Sequence, residues 1–337
     1  MAGGDFYARC ERPFPDGTER SRSDWPDSDR VEQAIEKLKS LHDGDRGFIE
    51  TVACGRRAIP ALRQLLFERE PSGLFQARCL AARALAGLKA YDVLIEFLEA
   101  PRDVTDPVER VGEDAVINSA ARAATALREP RVFDLLIRLA ETRPLPGVIG
   151  ALKAFSQIEA IPYLIEALAE DESRPEAEAA LRNLGSSAHE ALAVTACQSL
   201  PMPERESQSR LRQRRSALEL LIETGVQART WPVLRNLMQD QDAKIAVLAC
   251  NICLICADEP EKREAIFRLI SLLPSADFLL ELAIEKCLAA HFNCAKELIA
   301  TAMRVVDLAP NDRTWRAHVK AHLQKDRASD ASSAGLT

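Results

Sequence analysis

The sequence predicts an all-α protein built as a stack of helix pairs. Three observations carry that expectation. Ala and Leu dominate an apolar content of 47%, with aromatics at 5% and 14 glycines in 337 residues, a composition that favours helices over sheets. The periodic segments follow the 3.6-residue spacing of helices buried along one face. A short motif also returns along the chain at multiples of about 34 residues, the size of a two-helix repeat.

Taken in order, residues 1–29 hold Pro13, Pro15 and Pro26 among Asp, Arg and Ser, with no apolar periodicity. They can bury little, so a mobile N-terminal segment is expected there. The last dozen residues, DRASDASSAGLT, read the same way, giving a disordered C-terminal tail at 326–337. Between them, 30–325 is expected to form one helical stack.

The motif appears first as Ala58-Ile59-Pro60-Ala61-Leu62, leading to Leu65 and Leu66. It returns as Ala160-Ile161-Pro162-Tyr163-Leu164, leading to Leu168, and as Thr230-Trp231-Pro232-Val233-Leu234, leading to Leu237. The starts differ by 160 − 58 = 102 and 230 − 160 = 70 residues. Proline is tolerated in the first turn of a helix, where its missing N–H has no intrahelical partner, and the leucines make one apolar stripe. Weaker copies begin near Ala90, Arg131, Ala188, Lys262 and Cys294, for eight units in all. The steps between starts are 32, 41, 29, 28, 42, 32 and 32 residues; the two long ones contain PRDVTDP at 101–107 and PMPERESQS at 201–209, read as loop insertions.

Ahead of each copy runs a helix with small residues on its apolar stripe: Ala77, Leu80, Ala81, Ala84, Leu85 and Leu88, then Ile117, Ala120, Ala121, Ala124 and Leu127. Small side chains let neighbouring helices approach closely. One helix pair cannot bury its apolar faces alone, whereas stacked neighbours bury them in a continuous core.

The Ala-Ile-Pro-x-Leu helix start and the preceding Ala-rich helix, as in LAARALAGL and SAARAATAL, span roughly residues 45–306. In these features the chain resembles the HEAT-like repeat family of armadillo-type proteins, which includes the HEAT-like repeats of phycobilin lyases. The resemblance implies a right-handed α-α superhelix, a HEAT-like solenoid of about eight helix pairs with an inner row of helices. It specifies fold and says little about function.

The stretch LACNICLICADEP places Cys250, Cys253 and Cys256 three residues apart. On a helix, Cys250 and Cys256 stand about 9 Å apart along the axis and about 120° around it, too far to share one zinc with bonds of about 2.3 Å. A ferredoxin-type cluster wants a fourth Cys four residues after the third, and position 260 is Pro. The cysteines are read as core, with no metal site. His189-Glu190 is a lone pair, whereas deoxyhypusine hydroxylase, an enzyme built from HEAT-like repeats, uses several such pairs to hold two irons. His318 and His322 lie at i and i+4 and have neither a third ligand nor an intervening Glu nearby.

No phosphate-binding Gly-rich loop, Gly-x-Ser-x-Gly elbow or paired-carboxylate motif is present. The expectation is therefore no catalytic residue, no cofactor and no enzymatic activity. A net charge of −7 argues against a surface built for nucleic acid, where counterion release needs clustered cations. No N-terminal apolar region or run of about 18 uncharged apolar residues occurs, which points to no membrane segment. Nine cysteines, an odd number inside helical patterns, fit a reducing compartment and a cytoplasmic location.

Two basic runs stand out: Arg205, Arg210, Arg212, Arg214 and Arg215, and Arg313, Arg316, Lys320, Lys325 and Arg327 beside Trp315. They read either as docking sites for an anionic partner or as solvated faces. On the motif helices, Arg63, Glu96, Arg138, Glu166, Arg235 and Arg268 fall at positions expected to be exposed. Such a mixed-charge row suits a protein or peptide partner. The functional expectation is a non-enzymatic protein-binding scaffold or regulatory adaptor; the alternative is a nucleic-acid-binding or DNA-glycosylase-like HEAT protein, which requires a continuous basic groove. Nothing in the sequence fixes the oligomeric state.

Overall fold

The computed structural model describes residues 27–68, 75–100, 104–198 and 206–291. Among them all regular structure is helical and there is no strand, as the composition and periodicity require. The chain forms two compact units, divided between Val93 and Leu94.

The first unit contains α1 (Asp27–Lys39), α2 (Gly44–Ala53), α3 (Ile59–Phe67) and α4 (Gln76–Gly87), followed by the start of α5 (Tyr91–Glu99). The α1 helix begins inside the segment expected to be mobile; residues 1–26 lie outside the described residues. Val31, Ala34, Ile35 and Leu38 of α1 pack with Leu62, Leu65 and Leu66 of α3 and the predicted stripe of α4 from Ala77 to Leu85. Gly47 lets α2 close on α1: a Cβ there would stand 2.5 Å from the Leu38 nitrogen. Arg78 of α4, only 6% exposed, donates from Nε to the Leu66 carbonyl at 2.9 Å, a last-turn carbonyl that lacks an intrahelical donor.

The second unit continues through α6 (Pro107–Ala124), α7 (Pro130–Thr142), α8 (Pro146–Leu152), α9 (Ile161–Ala167), α10 (Arg174–Leu184) and α11 (His189–Cys197). It ends with α12 (Gln208–Thr224), α13 (Trp231–Leu234), α14 (Ala243–Cys256), α15 (Glu259–Leu272) and α16 (Phe278–Ala290). The even-numbered helices from α6 to α16 pack successively on one another, and α7, α9, α11 and α13 form a second layer. Seven of the eight motif copies fall on odd-numbered helices, α3 to α15. The copy near Cys294 and the tail at 326–337 lie outside the described residues.

The motif prolines act as read. Pro60, Pro162 and Pro232 are each the second residue of a helix entered through a 3-10 turn, at Gly55–Ala58, Ile158–Ala160 and Ala228–Thr230. The turns leading into α3, α5, α9, α11 and α13 pass through a positive-φ residue at Gly55, Lys89, Ser156, Gly185 and Gly225 respectively. Glycine takes that conformation without a Cβ penalty; Lys89 and Ser156 hold it with one, of roughly 1–2 kcal/mol each. The insertions are shorter as loops than expected, because Pro107 starts α6 and Gln208 starts α12. Asp106 and Ser207 cap these helices through their side chains, a role their residue types favour.

Two charged steps tie an even helix to the connection beyond the next odd helix, with opposite signs. Glu113 and Asp114 are seventh and eighth in α6, counted from Pro107, and Arg214 and Arg215 are seventh and eighth in α12, counted from Gln208. Asp114 pairs with Arg143, just past α7, while Arg214 and Arg215 pair with Asp240 and Asp242, just ahead of α14. Burial pushes the Asp114 carboxyl above its usual range against the pull of Arg143 and Arg110. Arg214 is 1% exposed and makes three bonds: to Asp240, to Glu206 Oε2 at 2.7 Å, and from Nε to the Ala196 carbonyl at 2.8 Å in the last turn of α11.

Candidate protein-binding face

The odd helices of the second unit turn one side toward the even layer and expose the other. On α7 the exposed stripe is Arg131, Asp134, Arg138 and Glu141, at spacings of three and four residues, and on α9 it runs from half-buried Tyr163 to exposed Glu166, with Glu170 just beyond the helix. On α11 it is Glu190, Val194 and Gln198; on α13 and the 3-10 turn that follows, Pro232, Val233, Arg235 and Asn236. Side-chain bonds join adjacent stripes. Arg131 donates to Glu99 of α5 at 3.3 Å, and Tyr163 Oη donates to Glu141 Oε1 at 2.7 Å. The Cys197 thiol donates to the Val233 carbonyl at 3.3 Å, and Trp231 Nε1 to Glu261 Oε2 of α15 at 2.6 Å. The Glu141 carboxylate raises the Tyr163 phenol, chiefly through that hydrogen bond.

Of the six predicted row residues, Arg63 lies in the first unit, exposed, its guanidinium 4.8 Å from the centre of the Phe67 ring. The other five lie in the second unit. Glu96, Arg138, Glu166 and Arg235 are exposed. Arg138 reaches Glu99 at 4.0 Å and Arg235 reaches Glu261 at 3.8 Å. Arg268 is half-buried and donates from Nε to the Met238 carbonyl at 3.0 Å, holding α15 to the turn after α13. Its position differs from the exposed one expected because an arginine long enough to reach a terminal carbonyl is drawn to it.

The first basic run is not a free patch. Arg212 pairs with Asp171 at 3.1 Å, Arg214 is the buried hub above, Arg215 pairs with Asp242, and Arg210 donates to Gln198 Oε1 at 3.0 Å. Sequence reasoning missed these pairings; the carboxylates of the Asp240-Gln241-Asp242 turn were the signal that could have found two of them. Arg205 and the run from Arg313 to Arg327 lie outside the described residues, as do His318 and His322.

Cys250 and Cys253 of α14 and Cys287 of α16 are buried among apolar side chains, and all seven described cysteines are free thiols. Burial raises Cys253 and Cys287 to about 12 and Cys250 further still. Cys250 and Cys253 are core residues, as their spacing predicted, whereas Cys256, the third of that triplet, is half-buried, its thiol donating to the Ile252 carbonyl at 3.2 Å. His189 and Glu190 point apart: His189 is 5% exposed, its Nε2 is 2.9 Å from Thr224 Oγ1, and Glu190 is exposed. Burial, then the charge of Arg229, lowers the His189 imidazole. Among the described residues no group of three or more His, Cys, Asp or Glu side chains is placed to hold a metal ion, and no helix is long and apolar enough to cross a membrane.

No protein-family model matches the chain, and no curated protein matches it significantly. Solved structures similar to it include the complex of CpcE and CpcF of phycocyanin lyase from Nostoc sp. PCC7120, at 19% identity and a TM-score of 0.33 over 83% of this chain and 100% of that one. Human deoxyhypusine hydroxylase in complex with glycerol is similar at 15% identity and a TM-score of 0.30, over 79% of this chain and 97% of that one. Both are HEAT-like repeat proteins, the family that the sequence resembles. The expectation that this chain is not an enzyme is corrected here: one likeness is to a lyase complex and the other to a hydroxylase, so a HEAT-like fold is no ground for excluding catalysis.

Proposed function

We propose that the chain binds another protein along the exposed stripes of its odd helices, acting as a scaffold or regulatory adaptor. The observation that supports this reading is the continuity of the stripes: α7, α9, α11 and α13 pack in sequence, and each presents polar or charged side chains on its outward side. Helical stacks bind partners across such surfaces, without a single deep pocket. Within this layer the proposal rests on Arg138, Glu166 and Arg235, with exposed Glu96 on α5 and half-buried Arg268 on α15 flanking them in the sequence of helices; Arg63, on the first unit, is a separate candidate.

The nucleic-acid reading has weaker support, because Arg212, Arg214 and Arg215 already face carboxylates and cannot also neutralise phosphates. A cytoplasmic location fits the free thiols. Photo-crosslinking tests the face directly, with the reactive residue placed at Glu166, at Arg235 or, as a control, at Glu109 of α6. Protein adducts from the first two positions and few from the third are the expected result. Equal yields from all three, or tight duplex DNA binding at physiological salt, overturn the proposal.

A further inference from the structure

Formal charge along this face is mixed, but its cations and anions are engaged to different degrees. Arg131 and Arg138 lie against Glu99, Arg235 against Glu261, and Arg268 bonds the Met238 carbonyl. The carboxylates of Asp134 on α7, Glu159 and Glu166 at α9, Glu170 just beyond it and Glu190 on α11 are exposed. They make no ion pair or side-chain hydrogen bond among the described residues. An ion pair closed within the chain offers an incoming partner less field than an open charge does. The five open carboxylates, set against the cation left over where Arg131 and Arg138 share Glu99 and against Arg229, an exposed cation whose charge reaches His189, therefore leave the exposed side from α7 to α11 net acidic.

An apolar step adjoins this acidic stretch. Val194 is 48% exposed and Val233 54% exposed. The Cys197 thiol, one turn after Val194, reaches the Val233 carbonyl at 3.3 Å, which sets the two valines on adjacent, packed helices. Two exposed β-branched residues between Glu190 and Arg235 give a partner side chain a place to shed water, and the carboxylates beside them set the sign of what surrounds it.

Resting on the protein-binding reading above, we infer that the face takes a basic amphipathic segment of a partner protein. Its lysines or arginines meet Asp134, Glu159, Glu166, Glu170 and Glu190, and an apolar side chain covers Val194 and Val233. Charge complementarity selects this occupant over an acidic peptide or a nucleic acid, either of which would bring anions to unpaired carboxylates. Binding of this kind weakens as salt rises, since the carboxylates are exposed to solvent.

The test uses the full chain and two synthetic helical peptides of about 15 residues, one of Leu and Lys and one of Leu and Glu, read by fluorescence anisotropy. The Lys peptide is expected to bind the wild type at least about tenfold more tightly than the Glu peptide. The triple variant Glu166→Lys/Glu170→Lys/Glu190→Lys is expected to lose about tenfold or more of that affinity with an unchanged helical spectrum, and Val194→Ser/Val233→Ser about threefold or more. A control with the same charge change elsewhere, Glu32→Lys/Asp45→Lys/Glu109→Lys, is expected to lose less than about threefold. Equal losses in the triple variant and the control show non-specific attraction to an acidic protein and overturn the inference. Preference for the Glu peptide, or binding of neither peptide, overturns the basic occupant while leaving the protein-binding proposal to its own crosslinking result.

Discussion

Replacing Arg214 by Met keeps much of the side-chain volume and removes the buried guanidinium that joins α12 to the end of α11 and to the turn ahead of α14. Three groups then lose the arginine as donor: the Ala196 carbonyl at the end of α11, and the carboxylates of Glu206 and Asp240, whose side chains are only 14% and 11% exposed; Asp240 keeps the Asp242 amide but no cation from Arg214. Breaking a buried ion pair by deleting one partner costs about 3–5 kcal/mol, because the remaining charge stays buried without compensation. For a unit of this size that corresponds to a fall in Tm of roughly 6–20 °C, measurable by circular dichroism at the helix band. Asp240→Asn alone should cost less, since Glu206 still faces the arginine. Adding Glu206→Gln and Asp240→Asn to Arg214→Met should restore part of the loss, as no uncompensated buried charge remains. If Arg214→Met melts within about 2 °C of the wild type, or the added substitutions lower Tm further, the uncompensated-charge argument is wrong.

Other outcomes follow from packing and titration. Gly147→Ala should destabilise the second unit by roughly 1–3 kcal/mol in urea unfolding, because the new Cβ would overlap the Asn118 backbone of α6; a neutral result would show that α8 can move. Leu234→Asp puts a charge at a position with 0% exposure and should cost several kcal/mol, whereas Arg235→Glu, one residue on and exposed, should shift thermal stability by about 1 kcal/mol or less. Equal losses would place Arg235 in the structural core. Unfolding free energy should also fall at both ends of the pH range. The buried thiols are raised from 9.0 to about 12 at Cys253 and Cys287, so their contribution is present below pH 9 and lost as pH climbs through the folded values. His189 and His291 are lowered from 6.5, chiefly by burial, so theirs is present above 6.5 and lost as pH falls below it. Stability flat from pH 5 to pH 10 would contradict both assignments.

The parts of this fold readable in the sequence are those set by local chemistry. Pro60, Pro162 and Pro232 mark helix starts because proline fixes its own φ and needs no donor, and the α4 and α6 stripes are spaced by the helix itself. The buried arginines were unreadable for the opposite reason. The spacing of Arg212, Arg214 and Arg215 describes only their own helix, while their partners lie at Asp171, Asp240 and Asp242, set by how α12 meets the connections around it. The short α8, Pro-Gly-Val-Ile-Gly-Ala-Leu, carried no motif, and its place follows from contacts with α6 and α10. Glu166 and Arg235 were correctly read as exposed. Which of them already has a partner depends on Glu261, 26 residues from Arg235, and no local pattern reports that.

The opposed signs of the two charged steps bear on how the repeats are told apart. Asp114 reaches a cation beyond α7, and Arg214 and Arg215 reach anions beyond α13. If α12 were to settle against the connection belonging to α6, Arg214 and Arg215 would confront Arg143; in the reverse exchange, Asp114 would confront Asp240 and Asp242. Apolar contacts carry no sign and could tolerate either misplacement, but like charges brought together at these partly buried steps would repel. The polarity of each step thus serves as an address, one that disfavours docking α6 or α12 against the connection belonging to the other.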